Sequence, residues 1–91
     1  MLSLKETQDL MMELQDWSLE SGLLVKEFNF PNFEAALEFV NKVGEIAKKH
    51  NHHPDIILRY NQVRLNLVTY EENSLTKRDF EVAKEIDGLG S

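Results

Sequence analysis

Apolar residues recur along this chain with two different periods, and the points where the period changes divide it into elements. Leu10, Met11 and Leu14 stand at helical spacing behind Ser3-Leu4-Lys5-Glu6, where a hydroxyl at a cap position precedes a carboxylate three residues on. This predicts a short amphipathic helix from residue 3 to about residue 15. Residues 17–20 and 23–30 then read as a hairpin around the turn signal Ser21-Gly22, the second strand carrying Val25, Phe28 and Phe30. Pro31 breaks that strand. Asn32 can cap a helix in which Phe33, Ala36, Leu37, Val40, Val43 and Ala47 repeat every three or four residues, to about His50. Phe33 and Trp17 read as core residues, and Gly44, near the apolar face, as a point of close approach to a strand. Lys48, Lys49 and His50 fill the last turn, where positive charge meets the negative end of the helix dipole.

Strand periodicity returns at residues 55–60 and 62–69. Val63, Leu65 and Leu67 alternate there with Gln62, Arg64 and Asn66, so one face is buried and the other wet, and a tight link falls around Asn61. Residues 71–74 are a polar loop. Thr76 then caps a last helix, with Asp79 three residues later and Leu75 and Phe80 as a hydrophobic staple. Phe80, Ala83 and Ile86 carry that helix to about Asp87, and Gly88 stops it. The order is α-β-β-α-β-β-α. It predicts an α+β domain, a four-stranded antiparallel sheet with helices packed on one face. An edge strand is left free for pairing between subunits.

Composition narrows the function. Ninety-one residues make a single domain, here 1–91, whose small core makes oligomerisation a route to further burial. Without cysteine there is neither a disulfide framework nor a thiolate metal site. A net charge of −6 argues against direct nucleic-acid binding, which needs a basic face. No apolar run approaches a membrane span, and the N-terminus lacks a signal-peptide core, so a cytoplasmic location is expected.

Chemistry concentrates at Lys48-Lys49-His50-Asn51-His52-His53-Pro54-Asp55, which holds all three histidines at a helix-to-strand junction. Such junctions expose side chains on a rigid support. Pro54 biases His53 towards an extended backbone, and successive extended residues point to opposite faces, so His52 and His53 should have different roles. A metal reading of His50, His52 and His53 finds no obvious further ligand beyond Asp55, and no metal is expected.

The set Lys48, His52-His53-Pro54, Tyr60, position 70 and Asp79 resembles the pterin-4a-carbinolamine dehydratase family. Trp17, Phe28-Asn29-Phe30, Tyr60-Asn61-Gln62-Val63, Leu75-Thr76 before Arg78-Asp79, and Ala83-Lys84-Glu85-Ile86 agree with it, over nearly the whole chain. The resemblance implies the same α+β fold. It implies dehydration of 4a-hydroxytetrahydropterin to quinonoid dihydropterin, which recycles the tetrahydropterin of aromatic amino acid hydroxylases, with no metal or organic cofactor. It places general acid/base and positioning roles on His52 and His53, and pterin contacts at Pro54, Thr69, Glu71 and Glu72. Lys48 and Asp79 become structural or supporting residues, and the offset of Asp79 from Thr76 is also that of a capping box. Imidazole suits the chemistry, since its ordinary pKa of about 6.5 allows either proton state near neutrality. The family's third active-site histidine falls at position 70, which here is Tyr70. A phenol there is a weaker proton donor and a poor base, which implies reduced activity. Ile56 also departs, replacing an aromatic residue in many members. Members form homodimers and homotetramers. The alternative implied by the resemblance is a non-catalytic interaction module, a dimerisation cofactor of a transcription factor or an assembly factor with a protein partner.

Overall fold

The computed structural model describes residues 1–90, so that of the expected domain only Ser91 lies outside the described residues. Its elements are α1 (Leu4–Met11), β1 (Ser18–Glu20), β2 (Leu23–Asn29), α2 (Phe33–His50), β3 (Asp55–Arg59), β4 (Gln62–Leu67) and α3 (Lys77–Asp87). The expected order and α+β class are both present. The sheet runs β1-β2-β4-β3 with every neighbouring pair antiparallel, so the two hairpins join through β2 and β4. That leaves β1 and β3 as edges. Ser21 and Gly22 both have positive φ (51° and 80°), the conformation of a tight two-residue hairpin turn.

Alternation places Leu24, Phe28, Val63, Leu65 and Leu67 on the inner face of the sheet, where α2 and α3 cover them with Ala36, Phe39, Val43, Ile46, Phe80, Ala83 and Ile86. The caps follow the sequence. Ser3 and Glu6 exchange hydrogen bonds at the start of α1, and Asn32 Oδ1 accepts from the Ala35 amide at 2.8 Å.

Four expectations need correction. Helix α1 ends at Met11 and not near residue 15, because it buries no residue that would hold another turn, and Asp16 turns the chain with φ 62°. Strands β2, β3 and β4 end short of Phe30, Tyr60 and Thr69, and Phe30 instead anchors Asn61 through backbone and side-chain bonds of 2.8 and 2.9 Å. The buried stripe of α2 runs through Phe39 and Ile46, leaving Phe33 40% and Leu37 41% exposed, since the apolar arc is wider than the face the sheet covers. Gly44 is not a close approach: a Cβ there would meet nothing within 4 Å.

One polar cluster lies inside this frame. Lys26 shares the inner face with Leu24 and Phe28, and its ammonium sits 3.0 Å from Asp87, the last residue of α3. Asp87 also accepts from the Trp17 indole at 2.8 Å and the Gln15 amide at 2.9 Å. The same ammonium lies 4.8 Å from the Phe28 ring centroid and 5.9 Å from that of Trp17. This clasp ties the segment after α1 to β2 and α3.

Candidate active site

The chain leaves α2 through Asn51, whose left-handed backbone (φ 50°, ψ 42°) lets the His52 amide return to the Ala47 carbonyl at 3.1 Å. This six-to-one bond is a Schellman closure, with asparagine in the place glycine most often takes. It fixes His52 in space before β3 begins. His52 and Pro54 are buried and His53 is exposed, the alternation expected of an extended segment.

Asp79, in the first turn of α3, is fully buried. His52 Nε2 lies 2.5 Å from its Oδ1, while the Thr69 hydroxyl at 2.8 Å and the Thr76 amide at 2.9 Å donate to its Oδ2. The capping offset and the histidine contact are thus two functions of one carboxylate. Thr69 has a single hydroxyl hydrogen and gives it to Asp79, so in the 2.7 Å contact between Thr69 and Thr76 it is Thr76 that donates. Because the carboxylate takes the proton on Nε2, Nδ1 is the ring's available lone pair.

A pocket of about 480 Å³ opens beside this pair, lined by Asn51, His52, His53, Pro54, Asp55, Val68, Tyr70, Glu71 and Arg78. That volume lies within the range of small-molecule sites. Arg78 donates to the Asn51 carbonyl at 3.2 Å and to Glu71 at 3.4 Å, joining the end of α2 to the loop after β4. Hydrogen bonding within its own residue and from Arg78 holds the Glu71 carboxyl below the usual range. The Tyr70 phenol donates to Asp55 at 3.3 Å, and the negative charge of Asp55 raises its pKa above the ordinary value. Tyr70 therefore remains protonated near neutrality and cannot serve as a base.

Of the residues marked from sequence, the fold gathers His52, His53, Pro54, Tyr70 and Glu71 at one pocket, with Asp79 directly behind His52. Thr69 is 1% exposed with its hydroxyl turned to Asp79, so its side chain supports that residue. Glu72 is exposed in the same loop, and Lys48 turns to Glu45 on its own helix. Ile56 packs towards the core, paired with Leu65. His50 separates from the other histidines and meets Glu85 at 2.8 Å. Among the described residues no group of three or more His, Asp or Glu is arranged to hold a metal ion. Sequence reading did not foresee Arg78 or Asp55 as pocket residues. The run of cations before Asn51 marks a helix end, but nothing in it says which later arginine caps the carbonyl.

Comparison with known proteins bears on the fold and the family. A family model described as pterin 4 alpha carbinolamine dehydratase matches residues 1–89. A Chloroflexus aurantiacus protein provisionally named pterin-4-alpha-carbinolamine dehydratase is 44% identical over 88 residues, covering 97% of this chain and 95% of that one. A similarly named protein of Acidobacterium capsulatum is 43% identical over 88 residues, covering 97% and 96%. The crystal structure of a transcriptional coactivator/pterin dehydratase from Brucella melitensis superposes with a TM-score of 0.92 at 26% identity, covering 99% of this chain and 98% of that one. A pterin dehydratase-like protein identified as a RuBisCO assembly factor in the alpha-carboxysome shares the fold, with a TM-score of 0.73 at 18% identity over 87% and 94% of the two chains.

Proposed function

Because the chain belongs to the pterin 4 alpha carbinolamine dehydratase family, we propose that it dehydrates 4a-hydroxytetrahydropterin to quinonoid dihydropterin. The observation that carries this reading is a histidine fixed by a buried carboxylate on the wall of a pocket of suitable size. In the elimination the N5–H bond breaks and its electron pair forms the C4a=N5 double bond. The C4a–O bond breaks, and the departing hydroxide takes a proton to leave as water. His52, with Nε2–H committed to Asp79, offers Nδ1 as the base for the N5 proton. His53, exposed on the same pocket, supplies or relays the proton to the leaving oxygen. Pro54 and the backbone from Thr69 to Glu72 frame the pterin ring. Loss of water is redox-neutral and needs no redox partner, and the proton collected at N5 returns through water to reset the acid and the base.

A second reading, a non-catalytic interaction module, is favoured by Tyr70, which cannot act as a base. The Brucella relative described as a coactivator and the carboxysome assembly factor are both similar folds, and Phe33 and Leu37 give α2 an exposed apolar surface for a protein partner. A dehydratase assay on 4a-hydroxytetrahydropterin separates the readings. The wild type is expected to exceed the spontaneous rate. A silent wild type made active by Tyr70→His would favour the module. The exposed edge of β3 and the apolar residues of α2 also favour a homodimer or homotetramer, and light scattering at micromolar concentration should show one. A strictly monomeric mass would remove that expectation. No helix among the described residues is long and apolar enough to cross a membrane, in keeping with a role in the cytoplasm.

A further inference from the structure

We infer that Asp55 and Tyr70 work as a pair that positions the substrate, and that Tyr70 transfers no proton in the reaction. This rests on the dehydratase reading and assigns roles within that same pocket. The two residues reach the pocket from different elements: Asp55 opens edge strand β3, and Tyr70 stands in the turn after β4. That turn is held from behind. Thr69 bridges to Ser74, its hydroxyl is locked onto buried Asp79, and the Asn73 amide returns to the Tyr70 carbonyl at 3.1 Å. The backbone of Tyr70 is therefore fixed while its side chain is 66% exposed. The hydroxyl bond to Asp55 is what gives that side chain an orientation.

The donor count then decides what the phenol can do. A tyrosine hydroxyl has one hydrogen, and Asp55 accepts it. What remains towards the pocket is the oxygen's lone pairs, made more electron-rich by the carboxylate. That oxygen suits a hydrogen-bond donor on the substrate, either the 4a-hydroxyl or a ring N–H. Proton donation to the leaving group would place a phenolate beside a carboxylate, and that charge pair opposes the step. The raised pKa of the phenol has the same origin. Both proton transfers then fall to the histidines, and the residue at position 70 sets affinity and orientation.

Steady-state kinetics with Tyr70→Phe, Asp55→Ala and Asp55→Asn test this. Both positions are exposed, so the variants should fold. Tyr70→Phe is expected to raise KM about tenfold, the loss of roughly one hydrogen bond, with kcat within about threefold and both limbs of the kcat–pH profile in place. Asp55→Ala should raise KM in the same direction. Asp55→Asn, whose amide oxygen still accepts the phenol's hydrogen, should recover most of that loss. A hundredfold fall in kcat at constant KM, a displaced pH limb, or no change in either constant for Tyr70→Phe would overturn the inference. A wild type without turnover would defeat the dehydratase reading alone. Equilibrium dialysis against tetrahydrobiopterin, which keeps the ring N–H donors, then decides: about tenfold weaker binding by Tyr70→Phe sustains the pair, and equal or absent binding refutes it.

Discussion

Asp79→Asn is expected to lower kcat by on the order of 10²- to 10⁴-fold while leaving KM nearly unchanged, the behaviour of a residue that orients a catalytic imidazole. The reason is the ring's tautomer. The carboxylate takes Nε2–H of His52 at 2.5 Å and leaves Nδ1 as a lone pair. An asparagine amide turns its oxygen towards the donors from Thr69 and Thr76. Its NH₂ then faces His52, where Nε2 must become the acceptor. The ring proton moves to Nδ1, and the base is lost although its position is kept. Steady-state kinetics at several pH values check this, with urea unfolding followed by circular dichroism as the control. Asp79→Ala should add a stability loss of about 2–3 kcal/mol, because it strands buried donors and removes half of a helix cap. A kcat within threefold of wild type for Asp79→Asn would show that His52 does not depend on its carboxylate.

The largest effect on stability is expected at the other end of α3. Asp87→Ala leaves the ammonium of Lys26 without a counter-ion at 11% side-chain exposure, and leaves the Trp17 indole and Gln15 amide without their acceptor. Removing one partner of a buried pair costs about 3–5 kcal/mol. At about 4–8 °C per kcal/mol for a domain of this size, the melting temperature should fall by about 12 °C or more. Lys26→Met should cost less, since Asp87 keeps two hydrogen-bond donors and the thioether still covers Phe28. Thermal melts of both variants check the order. If Lys26→Met proved the more damaging, the aromatic contacts of the ammonium, and not the carboxylate, would be the centre of the cluster.

Much of this architecture was legible because period and cap agree locally. Asn32 before a repeat of three and four, and Val63, Leu65 and Leu67 alternating with polar residues, each admit one secondary structure, and the alternation in β4 also fixes its buried face. The repeat after Asn32 includes Phe33 and Leu37 and omits Phe39 and Ile46, and only the tertiary packing decides which of them the sheet covers. The histidine pair announced itself by its concentration at a helix end. The partners of that pair did not, since Asp79 meets His52 across 27 positions of chain. In the local sequence Asp79 shows only its capping offset, a signal complete without any histidine; the resemblance marks it as a supporting residue but does not say which side chain it supports. Lys26 was equally hidden: a charged residue between Val25 and Glu27 reads as solvent-facing until Asp87, 61 residues later, arrives at its amine.

The clasp has a practical consequence for spectroscopy. Trp17 is the only tryptophan of the chain, is 6% exposed, and hydrogen-bonds to Asp87, while the aromatic residue of the pocket is Tyr70. Intrinsic tryptophan emission therefore monitors the junction between the N-terminal segment and α3, and changes when that junction opens. Occupancy of the pocket has to be followed through the ligand's own optical bands. Fold integrity and ligand binding can thus be recorded in one cuvette at separate wavelengths, without an added label.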